Sequence, residues 1–162
     1  MDAITMLKKN LPSILTISED FPTINFKADD EFYWSAQINT VFYVENELNK
    51  KSGIYRLFHE IGHALSNHQT FSSGIQLIKL ESEAWLKAKE IAERYNLNIS
   101  DEQIEKCLDS YRDWLHLRSI CPECSIVGVE ANPSQYRCFN CLQNWKVPVN
   151  QRFRNYRLKQ AK

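Results

Sequence analysis

Residues 59–63 read His-Glu-Ile-Gly-His. On a helix, side chains at i and i+4 lie one above the other, so both imidazoles can reach a single metal ion. Glu60 sits beside them, where a carboxylate can take a proton from water. Five-residue patterns also arise by chance, and then mean only two exposed histidines on an amphipathic helix. Two further features separate these readings: a helical period around the motif, and a third ligand.

The period is present. Ile54, Phe58, Ile61 and Leu65 fall on one face at i, i+4, i+7 and i+11. The two histidines lie off that stripe, which predicts a helix from about Ser52 that buries one side and presents the other. Gly62 weakens a helix interior by about 1 kcal/mol, so its presence predicts close approach of another element. The helix is expected to end near Asn67-His68. Upstream, residues 2–10 read as a short helix capped by Asp2. Residues 15–17 and 23–26 read as short strands, and 31–37 with 40–44 as a hairpin turning near Ile38-Asn39. Downstream, a long helix is expected over about 76–95, stopped at Asn96. A capping box from Ser100 to Gln103 then opens a helix over 101–117, with Ile104, Cys107, Leu108, Tyr111 and Leu115 as its apolar face.

A third ligand can be sought in two places. His68 follows His63 by five residues, but a ligand there needs a sharp turn, usually made with glycine, and none lies between Ala64 and Asn67. The better candidate lies in Leu80-Glu81-Ser82-Glu83-Ala84-Trp85. The helical neighbours of Glu81 are Leu77, Ile78, Ala84, Trp85 and Ala88, all apolar. Those of Glu83 are Lys79, Leu80, Leu86, Lys87 and Glu90, mostly a solvent face. An inward carboxylate is costly unless paired or bound to metal, which selects Glu81. The small Ala84 lets its helix pack closely against the motif helix.

Four of the five cysteines form two C-x-x-C pairs, Cys121/Cys124 and Cys138/Cys141, with 13 residues between the pairs. This spacing signals a structural zinc ribbon with four thiolate ligands. Such a site is closed, and the metal supplies folding energy that the short segment lacks. Cys107 stands alone in a helical pattern and is expected to be a small buried hydrophobe. Tyr136, Arg137, Phe139, Trp145 and Lys146 mix aromatic and basic residues in the ribbon. The tail adds Arg152, Arg154, Arg157, Lys159 and Lys162 with no acid. These residues can track phosphates and stack bases, or pack the ribbon against the preceding helix.

Composition excludes little else. The chain of 162 residues has 43% hydrophobic and 25% charged residues and zero net charge, an ordinary globular balance with no global field toward nucleic acid or membrane. No stretch approaches the roughly 18 apolar residues of a membrane helix, and the first residues show no signal-peptide pattern. No membrane partner and a cytoplasmic location are expected.

His59-Glu-Ile-Gly-His63-Ala-Leu followed by Leu80-Glu-Ser-Glu-Ala-Trp85 resembles the gluzincin metallopeptidases, and within them the small ImmA/IrrE-like and minigluzincin families. The resemblance covers roughly residues 30–95. It implies an α+β, minimal zincin-like fold: a small twisted sheet with an active-site helix and a glutamate helix. It implies a catalytic zinc on His59, His63 and Glu81, with Glu60 as general base and acid, and a peptide or protein substrate pairing on the strand around Val41–Val44 as the edge of the sheet. Many relatives carry an acid after E-x-x-A that braces a ligand histidine, and Trp85 stands there instead. No oxyanion-stabilising residue is evident, with Tyr55, Tyr95 and Tyr111 as candidates. The pairing with a ribbon is also similar to SprT-like DNA-associated proteases, whose third histidine position is Asn67 here.

The expected organisation is a metallopeptidase domain over 1–118, a zinc ribbon over 119–148 with Cys121, Cys124, Cys138 and Cys141 as ligands, and a basic tail over 149–162. Two zinc ions are expected, one catalytic and one structural. Self-inhibition by a terminal segment is a further expectation of the resemblance. The competing expectation is a zinc-dependent regulatory module that binds nucleic acid or protein through the ribbon and tail without peptidase activity.

Overall fold

A computed structural model describes residues 11–148. The expected helix at 2–10 and the basic tail at 149–162 lie outside the described residues. The fold is α+β, with two small sheets and four α-helices among the described residues. It divides into two compact units. One holds the described residues up to Gln69 with Glu81–Asp101, and the other holds Thr70–Leu80 with those from Glu102 onward. Residues 102–118, grouped with the histidine motif in the sequence reading, therefore compact with the ribbon residues.

The first unit opens with α1 (Ile14–Asp20). The strand expected at 15–17 is a helix instead. Ser13 Oγ accepts a hydrogen bond from the Thr16 amide at 3.1 Å, a side-chain N-cap. Ile17 and Phe21 are buried at i and i+4 while Leu15 faces solvent, a helical rather than an alternating pattern. Three strands follow: β1 (Asn25–Ala28), β2 (Tyr33–Ser35) and β3 (Thr40–Tyr43). β2 and β3 form the expected antiparallel hairpin, and Asn39 supplies its turn with a φ of 49°. β1 pairs parallel to β3, giving the order β1-β3-β2. The strand at Val41–Val44 is thus central, not the edge that the resemblance implied. Among the described residues the edge strands are β1 and β2.

The motif helix is α2 (Lys51–Leu65). Ile54, Phe58 and Ile61 are fully buried, as the stripe predicts, whereas its fourth member, Leu65 at the end of the helix, is exposed. The opposite side is not presented to solvent: Leu57, His59 and Glu60 are buried as well. Helix α3 (Gly74–Arg94) gives Ala84, Trp85, Ala88, Ile91 and Ala92 to this core. Both helices end alike. The Asn67 amide donates to Ala64 O and the His68 amide to His63 O, and the Asn96 amide donates to Glu93 O and the Leu97 amide to Ala92 O. Asn67 and Asn96 have φ of 51° and 54°. This is the Schellman arrangement, with asparagine in the place glycine usually takes.

In the second unit, Leu77, Tyr111 and Trp114 form a buried cluster with Phe71, Ile78 and Leu115 around it. Tyr111 and Trp114 lie on α4 (Asp101–Ser119). Buried Ile104 and Leu108 continue that face, whereas Cys107 is only half-buried. The segment expected to be loop-like carries a second antiparallel sheet, β4 (Val129–Asn132), β5 (Gln135–Arg137) and β6 (Asn144–Lys146). Glu130 ties it to the start of α3, accepting from the Gly74 amide at 2.8 Å, and accepts from the Ser134 amide at 3.0 Å.

Gly62 does what its cost suggested. A Cβ there would collide with the backbone carbonyl of Ala84, an atom that cannot step aside. Gly62→Ala is expected to destabilise the chain by at least about 1 kcal/mol, the overpacking cost exceeding the gain in helix propensity. Urea unfolding of the two proteins measures the difference.

Candidate metal centres

α2 and α3 bring three ligand atoms to one point. His59 and His63 Nε2 lie 3.1 Å apart. Glu81 Oε2 is 3.1 Å from His59 Nε2, and Oε1 is 3.6 Å from His63 Nε2. A tetrahedral ion with metal–nitrogen bonds of about 2.0–2.1 Å sets its ligand atoms about 3.3 Å apart. The group fits that figure. Glu81 Oε2 is buried with no aligned hydrogen-bond donor despite its nearness to His59. Two imidazole nitrogens facing each other at this distance need a proton or a cation between them, and a cation satisfies all three groups at once.

The protonation states suit a cation. Burial lowers the His59 pKa below its usual value, outweighing the opposing pull of the Glu81 carboxylate, so the ring is neutral and offers a lone pair. Burial by itself raises the Glu81 carboxyl, but the neighbouring His59 and His63 rings overcome it and hold it well below the carboxylate range. Glu60 is buried one residue from His59 and does not join the three converging residues.

The surroundings of the two histidines differ. His59 stacks on Trp85, ring centroids 4.3 Å apart, and its Nδ1 is buried without a hydrogen-bond partner. Trp85 thus supports the ring by packing. His63 Nδ1 instead meets His68 Nδ1 at 2.9 Å, and His68 Nε2 meets Glu83 Oε2 at 3.1 Å. His68 therefore lies outside the three converging residues, but the turn that brings it back does exist, made by Asn67. Glu83 is partly exposed, as its neighbours predict. Of the tyrosines considered for the oxyanion, Tyr55 donates to Asn98 O at 2.9 Å and Tyr95 to Asp20 Oδ2 at 2.6 Å, while Tyr111 packs in the second unit's core.

The four ribbon cysteines form the second group. Cys121 and Cys141 sulfurs are 3.5 Å apart, as are those of Cys124 and Cys138, and all four are free thiols. Metal–sulfur bonds of about 2.3 Å imply tetrahedral edges near 3.8 Å. The two knuckles match. The Cys121 amide donates to Ile126 O and the Cys138 amide to Gln143 O, both at 2.9 Å. Ser125 and Leu142, each next after a knuckle's second cysteine, take φ of 59° and 64°. The Cys124 thiol is pulled down to about 6, first by the Ile126 backbone and then by Asn140. The Gln143 backbone draws Cys141 down as well, but desolvation and the other three sulfurs push it up to about 12. Crowded thiols cannot all ionise unless a cation joins them.

Tyr136 is buried and stacks on Trp145 at 5.6 Å. The Trp145 indole N–H donates to Arg118 O at 3.0 Å, and the Arg118 guanidinium lies 3.9 Å over Trp114. These aromatics pack the ribbon unit. Phe139 alone of the ribbon aromatics is largely exposed, at 70%. Among the described residues no helix is long and apolar enough to cross a membrane.

No family model, curated protein or solved structure matches the chain. Metal analysis of the purified protein is expected to give two divalent ions per chain, one for each group. Glu81→Ala should lose one and Cys138→Ser the other, as read by elemental analysis.

Proposed function

We propose that this chain is a zinc-dependent endopeptidase of the gluzincin type, on a minimal zincin-like fold, with a second zinc that holds the ribbon together. The observation that carries this is the convergence of two imidazoles and an ionised carboxylate from neighbouring helices, with Glu60 buried beside His59. Mixed nitrogen and carboxylate donors, and separately four thiolates, suit zinc better than calcium or magnesium. Three protein ligands leave the fourth position of a tetrahedron open, whereas four cysteines close theirs.

His59, His63 and Glu81 would hold the zinc, which would supply Lewis acidity toward a carbonyl and a water. Glu60 accepts the proton of the attacking water and returns it to the leaving amine as the C–N bond breaks. His59, His63 and Glu81 keep their donor atoms on one point, so little reorganisation precedes the reaction. An extended peptide can add to an open sheet edge by main-chain hydrogen bonds. β2 is the better edge: it is open, and its Trp34 donates to His68 O at 2.8 Å, close to the end of α2 that carries His63. Glu60→Gln is expected to retain both zinc ions and to cleave an unfolded protein substrate about 10²–10⁴-fold more slowly, followed by mass spectrometry of the products. Undiminished cleavage would overturn the mechanism.

The second reading, a zinc module that binds nucleic acid or protein without peptidase activity, is favoured by Phe139. It is exposed, and the Arg137 guanidinium lies 5.9 Å from its ring. A stacking ring beside a cation can receive an unpaired base. Phe139→Ala should weaken single-stranded nucleic acid binding by about 1–3 kcal/mol, with a salt-dependent affinity in the parent protein; filter binding measures both.

A further inference from the structure

His68 and Glu83 are used neither as ligands nor as proton carriers in this scheme, yet they are tied to it atom by atom. The left-handed Asn67 folds the chain back over the end of α2, and the His68 amide closes on His63 O at 3.0 Å. The Trp34 indole N–H then holds His68 O at 2.8 Å. So fixed, the buried His68 ring lies 5.0 Å from that of His63, centroid to centroid, at an interplanar angle of 70°. Its Nδ1 faces the outer nitrogen of His63, and its Nε2 faces Glu83.

We infer that His68 and Glu83 are positioning residues that set the ring orientation and tautomer of His63 for metal binding. The inference rests on the reading of His59, His63 and Glu81 as a metal site. With a metal at His63 Nε2, one proton arrangement satisfies the His63–His68 and His68–Glu83 contacts. His63 Nε2 points at the metal position and must keep its lone pair, so its proton sits on Nδ1 and is donated to His68 Nδ1. His68 then carries its own proton on Nε2 and donates it to the Glu83 carboxylate. A ligand histidine whose outer N–H is held this way is oriented before the metal arrives and is the more basic donor. The same contacts exclude His68 as the third ligand, because its Nδ1 faces the outer side of His63. They also give the chain its own substitute for the bracing acid absent at Trp85. That support reaches His63, whereas Trp85 reaches His59.

The test uses the full-length protein loaded with zinc, titrated against a chromophoric chelator, with the ribbon zinc as internal reference. Glu83→Ala removes a partly exposed side chain and should weaken the histidine-site zinc by about 10–100-fold while leaving the ribbon zinc unchanged. His68→Ala should do the same, and His68→Asn, which keeps an acceptor near the Nδ1 position, should restore part of the loss. Long-range proton–nitrogen correlation spectra of the parent should show His63 protonated at Nδ1 and His68 at Nε2. If His68→Ala fails to fold, Glu83→Ala and the spectra decide. Two zinc ions in the parent with unchanged affinity in Glu83→Ala, or the opposite tautomer at His68, would overturn the positioning role and leave the metal site standing. A parent chain that binds only the ribbon zinc would overturn both.

Discussion

The first unit depends on two helices meeting backbone to backbone. Gly62 on α2 faces the carbonyl of Ala84 on α3, with no room for a Cβ between them. The three converging residues lie close to this contact in sequence. His59 and His63 lie three residues before and one after Gly62, and Glu81 lies three before Ala84. A methyl group at the contact would push α3 away and carry Glu81 with it. The helix accepts a residue of poor propensity, at about 1 kcal/mol, because no larger one allows the approach.

That approach creates an electrostatic demand. It buries two imidazoles and a carboxylate where unpaired polar groups are costly. Burial keeps His59 neutral, and the histidines keep Glu81 ionised. What results is a converging set of electron-pair donors whose need for a cation follows from its own desolvation. The ribbon reaches the same demand by another route. Two short knuckles place four sulfurs together, and their mutual repulsion must be relieved by a cation before all can ionise.

Much of this was legible in the sequence because helical periodicity is local. Glu81 was separable from Glu83 by its neighbours alone, since the face of a helical side chain follows from residues three and four away. The four cysteines were legible because their spacing is itself the constraint. Where the reading failed, a weaker local signal was decisive. The Pro12-Ser13 start made a helix of Ile14–Asp20 although Leu15-Thr16-Ile17 suits a strand. Asn67 made the reversal for which glycine was sought, and Asn96 repeats it. Ser125 and Leu142 show the same substitution in the knuckles, a backbone conformation that residue type does not announce.

The sequence by itself determined which side chains hold electron pairs and how they recur along α2, α3 and the two knuckles, because period and spacing are properties of neighbouring residues. Only the tertiary structure decided where those elements meet. It made β3 the central strand by adding β1 in parallel, which no hairpin pattern specifies. It buried the side of α2 that periodicity left open, because the sheet and α3 cover what one helix cannot show to be covered. It set Trp34 and Glu83, 34 and 15 residues away in the chain, against the His68 that faces His63. Contacts at that separation are fixed by packing and chain reversal, and neither is written in any window of adjacent residues.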